Sequence, residues 1–158
     1  MATALLLTLP GIPCVYTGDE IGASFHPYQD SLPLVWTEDT HPGLRDYHKR
    51  LIALRREIPS LHSLHWRPLK ARPEAPVAKH IYAYVRYVKP ADQPVLIVLN
   101  FSGKQEESEI ELPEEFATLA QHEALRDVLA EETVPVRRSE TLVVPMPPWG
   151  ARVLMPQE

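Results

Sequence analysis

With 158 residues, 44% of them hydrophobic and 23% charged, the chain is long enough to bury a core and too apolar to be disordered. Its net charge of −5 is the wrong sign for a nucleic-acid binder, which needs a basic surface to displace the counterions of phosphate, and is compatible with a neutral ligand. The single cysteine, Cys14, excludes an intrachain disulfide. The apolar residues 1–9 are shorter than the ~18 that cross a bilayer and lack a basic leader, so neither a membrane span nor an export signal is expected and a cytoplasmic location is favoured.

Residues 4–9 are apolar and helix-compatible, and Pro10 pushes Leu9 out of the α region, so a helix ends there. Gly11 and Pro13 bracket a turn. Ile12, Cys14, Val15 and Tyr16 then form an apolar run without polar alternation, the pattern of a strand covered on both faces, in which Cys14 is expected to be a small buried hydrophobe. At the end of the run, Thr17-Gly18-Asp19-Glu20 turns the chain and leaves two carboxylates at the strand's C-terminal tip. Residues 23–41 are irregular and rich in proline and aromatic side chains (Phe25, Pro27, Tyr28, Pro33, Trp36), as in a long ordered loop. The spacing of Leu44, Tyr47, Leu51, Leu54 and Ile58 predicts a helix, with Asp39 or Thr40 as cap, Pro42 near its first turn and Pro59 as its stop. On that helix Asp46 and Arg50 pair at four-residue spacing, while Lys49, Arg55 and Arg56 decorate the solvent side.

The composition shifts at residues 61–78, where Pro68, Pro73 and Pro76 punctuate a polar stretch, and this places a domain boundary near its start, dividing 1–64 from 65–158. Residues 81–88 alternate, with Tyr82, Tyr84 and Arg86 on one face and Ile81, Ala83, Val85 and Tyr87 on the other, and residues 90–93 turn the chain into a hairpin. Residues 95–101 form a more continuous apolar strand, and 108–112, 141–146 and 151–155 read as further strands, with 125–129 as another candidate. Residues 114–121 are helical by propensity but short and preceded by Pro113, and 106–109 read as a solvated strand edge. Five or six short strands over ~90 residues predict an antiparallel, Greek-key-like sandwich.

The set Gly11, Pro13, Tyr16, Gly18, Glu20 and Gly22 resembles the eighth barrel strand of the α-amylase family of glycoside hydrolases. Downstream, Pro33-Leu34-Val35-Trp36 resembles that family's loop before the last barrel helix, and residues 51–56 followed by Pro59 resemble the helix itself. Residues 82–86, 95–102 and 147–154 are similar to its closing β-domain. The resemblance covers essentially the whole chain and implies an α+β fold: the last βα unit of a TIM barrel in 1–64, then an all-β antiparallel sandwich in 65–158. It implies action on α-glucosidic bonds of starch, maltooligosaccharides or related sugars by a retaining mechanism, with an α-glucan or oligosaccharide as partner and no cofactor. The family's nucleophilic aspartate, acid/base glutamate and stabilising aspartate belong to earlier barrel strands outside this sequence, so no catalytic residue is assigned and the chain alone is expected to be inactive.

Asp19 and Glu20 do not make up for that loss. Adjacent residues on an extended chain point to opposite faces and cannot readily converge on one glycosidic bond, whereas hydrolysis needs two carboxyl groups flanking it. The resemblance instead implies that Tyr16, Asp19 and Glu20 line the substrate cleft or support it, and Asp30 and Trp36 are expected to meet sugar there, the carboxylate by hydrogen bonds to hydroxyls and the indole by stacking. Ser31 stands where the family often has an arginine, which removes that contact. His62 and His65 lack the neighbours of a metal cage, and no metal is expected. A competing reading is a free-standing binding module in which Trp66, Tyr82, Tyr84 or Trp149 holds glucan or a partner protein. The lone barrel strand leaves unpaired backbone groups, so the absent barrel portion or a second copy is an expected partner, and residues before about Leu64 are expected to be poorly ordered or self-associated.

Overall fold

The computed structural model describes residues 1–23, 36, 40–71, 80–90, 92–138 and 141–157. Asp30, Ser31, Asp39, residues 33–35, Pro73 and Pro76 lie outside the described residues. Helix α1 (Ala2–Thr8) stops where Pro10 dictates, with Leu9 already extended. Helix α2 (Leu44–Glu57) begins after Gly43, which sits at φ +83°. Thr40 is not its cap; the Thr40 hydroxyl donates instead to the carbonyls of Ile21 (2.9 Å) and Gly22 (2.6 Å). Pro59 does more than end α2, because it also opens a single-turn helix α3 (Pro59–His62), where its missing N–H costs nothing.

Nine strands follow: β1 (Trp66–Leu69), β2 (Ile81–Arg86), β3 (Val95–Asn100), β4 (Glu106–Ile110), β5 (Ala124–Asp127), β6 (Glu132–Pro135), β7 (Arg137–Arg138), β8 (Leu142–Met146) and β9 (Ala151–Pro156). They build a six-stranded antiparallel sheet, β1-β2-β3-β9-β5-β6, and a three-stranded one, β4-β8-β7. Among the described residues the count exceeds the five or six expected because β1 and β6 are mostly exposed and β7 is a pair of arginines, so none of them carries much hydrophobic pattern. The ambiguous residues near Pro113 form a 3-10 segment, Glu114–Ala120, whose Phe116 and Leu119 are buried.

Strand β3 is buried at every position and organises the molecule. Its Leu96 and Val98 join Ala83 and Val85 of β2 and Ile110, Leu142, Val144 and Met146 of the smaller sheet in one cluster. The alternate residues Val95, Ile97 and Leu99 join Tyr84 and Val153 in a second cluster with Leu7 of α1, Leu51 and Leu54 of α2, and Leu61 of α3. The larger sheet thus carries the smaller sheet on one face and helices on the other, and each such buried aliphatic contributes about 1.5–3 kcal/mol.

Polar ties complete the helical layer. Arg86, fully buried on the same face of β2 as Tyr84, donates to the carbonyls of Thr8, Leu61 and Ser63 and, from Nε, to that of His65 (3.3 Å). Arg55, expected to face solvent, donates to the carbonyls of Leu7 (2.7 Å), Leu9 (3.0 Å) and Gly11 (2.5 Å). The two guanidinium groups thus neutralise the negative end of α1 and its unpaired carbonyls. Arg50 reaches the Val128 carbonyl (2.8 Å) and Glu131 (2.6 Å), so Asp46 pairs with Lys49 instead. Hence α1, α2 and α3 are seated on the sheet.

The run from Ile12 to Tyr16 departs from expectation. It forms no ladder among the described residues, Ile12 is 98% exposed and Cys14 is exposed rather than buried. A strand covered on both faces needs neighbouring strands, and none of the described strands pairs with it. Among the described residues no helix is long and apolar enough to cross a membrane.

Candidate functional site

The site is built on the turn after that run. Gly18, at φ +95°, starts a 3-10 turn, Asp19–Ile21, that Gly22 closes at φ +66°. Both carboxylates fold back on the turn: Tyr16 N–H donates to Asp19 Oδ2 (3.2 Å) and Gly18 N–H donates to Glu20 Oε2 (3.1 Å). A Cβ on Gly22 would meet Thr40 Oγ1 at 2.6 Å and the His41 ring at 2.7 Å, so this close approach needs glycine as much as the positive φ does.

Beside the turn lies a groove of about 520 Å³. Val15, Tyr16, Glu20 and Trp36 form one side, and Arg45, His48, Lys49 and Ile52 of α2 contribute the other. Arg45 ties the two sides by donating to the Trp36 carbonyl (2.6 Å). Tyr16 and Trp36 are each about half exposed, so both rings present a face to the groove. Of the five residues expected at a cleft, three thus come together; Asp19 is exposed on the same turn without lining the groove, and Asp30 lies outside the described residues. Sequence reasoning missed the α2 contribution. Its signal was available, because positions 45, 48, 49 and 52 form the helix face opposite Tyr47, Leu51 and Leu54.

Chemically, the groove as formed by the described residues joins aromatic and aliphatic surface to a basic side and one carboxylate, Glu20. That surface suits a flat, mostly neutral ligand, and among the described residues no second carboxyl group faces Glu20 as glycoside hydrolysis requires. Among the described residues no cluster of histidine, cysteine or carboxylate side chains can hold a metal. The aromatics of the module reading divide. Tyr84 is fully buried, with its hydroxyl on Thr8 Oγ1 (2.5 Å) and its ring against Trp66 and Tyr82, so it cannot be a platform. Trp149, by contrast, is 62% exposed.

No protein-family model matches the chain. Over 116 residues, 72% of its length, it is 34% identical to neopullulanase 2 of Thermoactinomyces vulgaris. Its fold superposes on the α-amylase of Geobacillus thermoleovorans, solved with acarbose, with a TM-score of 0.73 and 21% identity over 99% of this chain. The chain belongs to the α-amylase family of glycoside hydrolases. A further α-amylase-family likeness is to AmyP in complex with maltose, at TM-score 0.71 and 16% identity over 98% of the chain. This family member spans 19% of the neopullulanase and 32% and 33% of the two solved chains.

Proposed function

We propose that this chain supplies the end of the catalytic barrel, residues 1–64, and the closing antiparallel sandwich, residues 65–158, of an enzyme that acts on α-glucosidic bonds by a retaining mechanism. By itself it does not hydrolyse them. One observation carries the reading: among the described residues Glu20 is the single carboxylate of the groove, and its oxygen already accepts from Gly18 N–H, so an acid and a nucleophile do not face one another. In the assembled enzyme the residues lining or supporting the cleft are Tyr16, Asp19, Glu20, Asp30 and Trp36. The unpaired run from Ile12 to Tyr16 is where the remaining barrel strands dock.

The test is turnover of maltoheptaose. The chain alone is expected to release no glucose or maltose, whereas an enzyme joining it to a complete barrel does, with Tyr16→Ala and Trp36→Ala raising KM. Hydrolysis at an enzymatic rate by the isolated chain overturns the reading.

A further inference from the structure

The turn between β8 and β9, Pro147-Pro148-Trp149-Gly150, spends stability without gaining burial. Trp149 adopts φ +50°, a left-handed conformation that costs a bulky residue about 1–2 kcal/mol, although a glycine stands next to it. That glycine is committed elsewhere: a Cβ on Gly150 would lie 2.4 Å from Pro147 Cγ. The strained residue is also 62% exposed, so its indole recovers little of the cost by leaving water. Strain held at an exposed aromatic side chain points to use of that side chain.

The surroundings fix the turn and pack against the indole. The backbone N–H of Trp149 donates to the Ser102 carbonyl (2.8 Å), and Gly103 lies against the ring, where an added Cβ would meet Nε1 at 3.2 Å. Fully buried Asn100 pins both loops, donating to the carbonyls of Lys104 (2.8 Å) and Pro147 (2.9 Å) and accepting from Ser102 N–H (2.9 Å). Alongside the ring runs a groove of about 480 Å³ with Phe101 as a second aromatic surface and His80, Ser102, Lys104 and Glu106 around it. Among the described residues the charges of Lys104 and Glu106 offset one another, and no cluster of arginines or lysines is there to recruit a phosphate or a carboxylate. An aromatic face with neutral and mixed polar groups around it matches a pyranose, which is apolar on its C–H face and ringed by hydroxyls.

We propose that this groove is a second saccharide site, in which Trp149 stacks on a sugar of an α-glucan chain and the β-domain holds substrate away from the barrel side. The choice of α-glucan rests on the reading under Proposed function. The experiment titrates the full 15N-labelled chain with maltoheptaose and follows the indole N–H signals, the Trp149 signal being the one that Trp149→Gly deletes. A saturable shift of that signal is expected. Trp149→Gly removes the platform and relieves the left-handed strain, so it should weaken binding at least tenfold without lowering the thermal midpoint, and Trp149→Asn, also tolerant of that φ, should do the same. Leu64→Ala, at an exposed position outside both grooves, should leave the affinity within twofold. No shift of the Trp149 signal, or unchanged affinity in both Trp149 variants, overturns the proposal. A Trp149 signal that moves with protein concentration instead of sugar also overturns it, identifying an interface between copies. The titration is separate from turnover: a chain that hydrolyses maltoheptaose refutes the reading of an incomplete barrel and leaves this site standing.

Discussion

Replacing Arg86 by methionine should cut the helical layer loose from the sheet. The guanidinium is fully buried and donates to four carbonyls, three of them on α3 and the residues after it and one at the end of α1. Three good hydrogen bonds from a charged donor contribute about 1.5–3 kcal/mol each, or about 4–9 kcal/mol together. Against this, burial and then the nearby Arg55 cation push the Arg86 group down to about 10 from 12.5, which corresponds to about 3 kcal/mol opposing the charge. Methionine keeps much of the buried stem, so the net loss is about 1–6 kcal/mol, whose middle corresponds to about 10 °C in thermal midpoint for a chain of this size. Urea denaturation measures the loss, and amide exchange locates it: α1 and residues 58–65 should lose protection before β3 and β9. A variant within 1 kcal/mol of the parent, or one that loosens the smaller sheet first, refutes the assignment of Arg86 as the tie between α1, α3 and β2.

Stability should fall as pH rises from 10 to 12. Burial pushes the Tyr84 and Tyr47 hydroxyls up to about 12, with the Asp127 carboxylate adding to the effect at Tyr47, so their contribution is complete below pH 10 and is lost as each ionises in the folded state. Arg86 has the opposite sign, and two tyrosines outweigh it; Tyr84→Phe should flatten the fall in denaturant midpoint and cost about 1 kcal/mol at pH 7 through the lost contact with Thr8. Leu51→Ala, at a site 1% exposed, should cost about 3 kcal/mol, with exchange increased in the helices and not in β4 and β8. Gly22→Ala should cost about 1–3 kcal/mol and release Thr40 from Ile21, detectable as a changed amide shift at Thr40.

Periodicity exposed much of this architecture. The alternation of residues 81–88 separated the two faces of β2 correctly: Ala83 and Val85 enter one cluster, and Tyr84 enters the other. It also placed Arg86 on the helix-facing side, and a cation at a core-phase position was the sign of a buried tie, overlooked because its acceptors are carbonyls distant in sequence. Arg55 escaped for the same reason. Strands β1 and β6 were invisible because ladder bonds define them more than burial does: three of four residues in each are exposed, and Pro68 interrupts the first. The apolar run holding Cys14 misled in the other direction, since its pattern describes a strand between neighbours, and pattern alone does not supply them. Tyr16, Glu20 and Trp36 line one groove, and Lys49, which had read as solvent-side decoration of the helix, stands across it with Arg45.

The place of β9 in the sheet sets a timetable. It lies between β3 and β5, and its Val153 shares a cluster with Ala4 and Leu7 near the other end of the chain. In order of synthesis β9 follows the helices and the strands β2 and β3 that share their cluster, so part of the helices' cover arrives well after they are made. Until β9 threads between β3 and β5, the sheet face that receives Leu7, Leu51 and Leu54 lacks its Val153, and the docking of the helices depends on how quickly that strand enters the middle of the sheet.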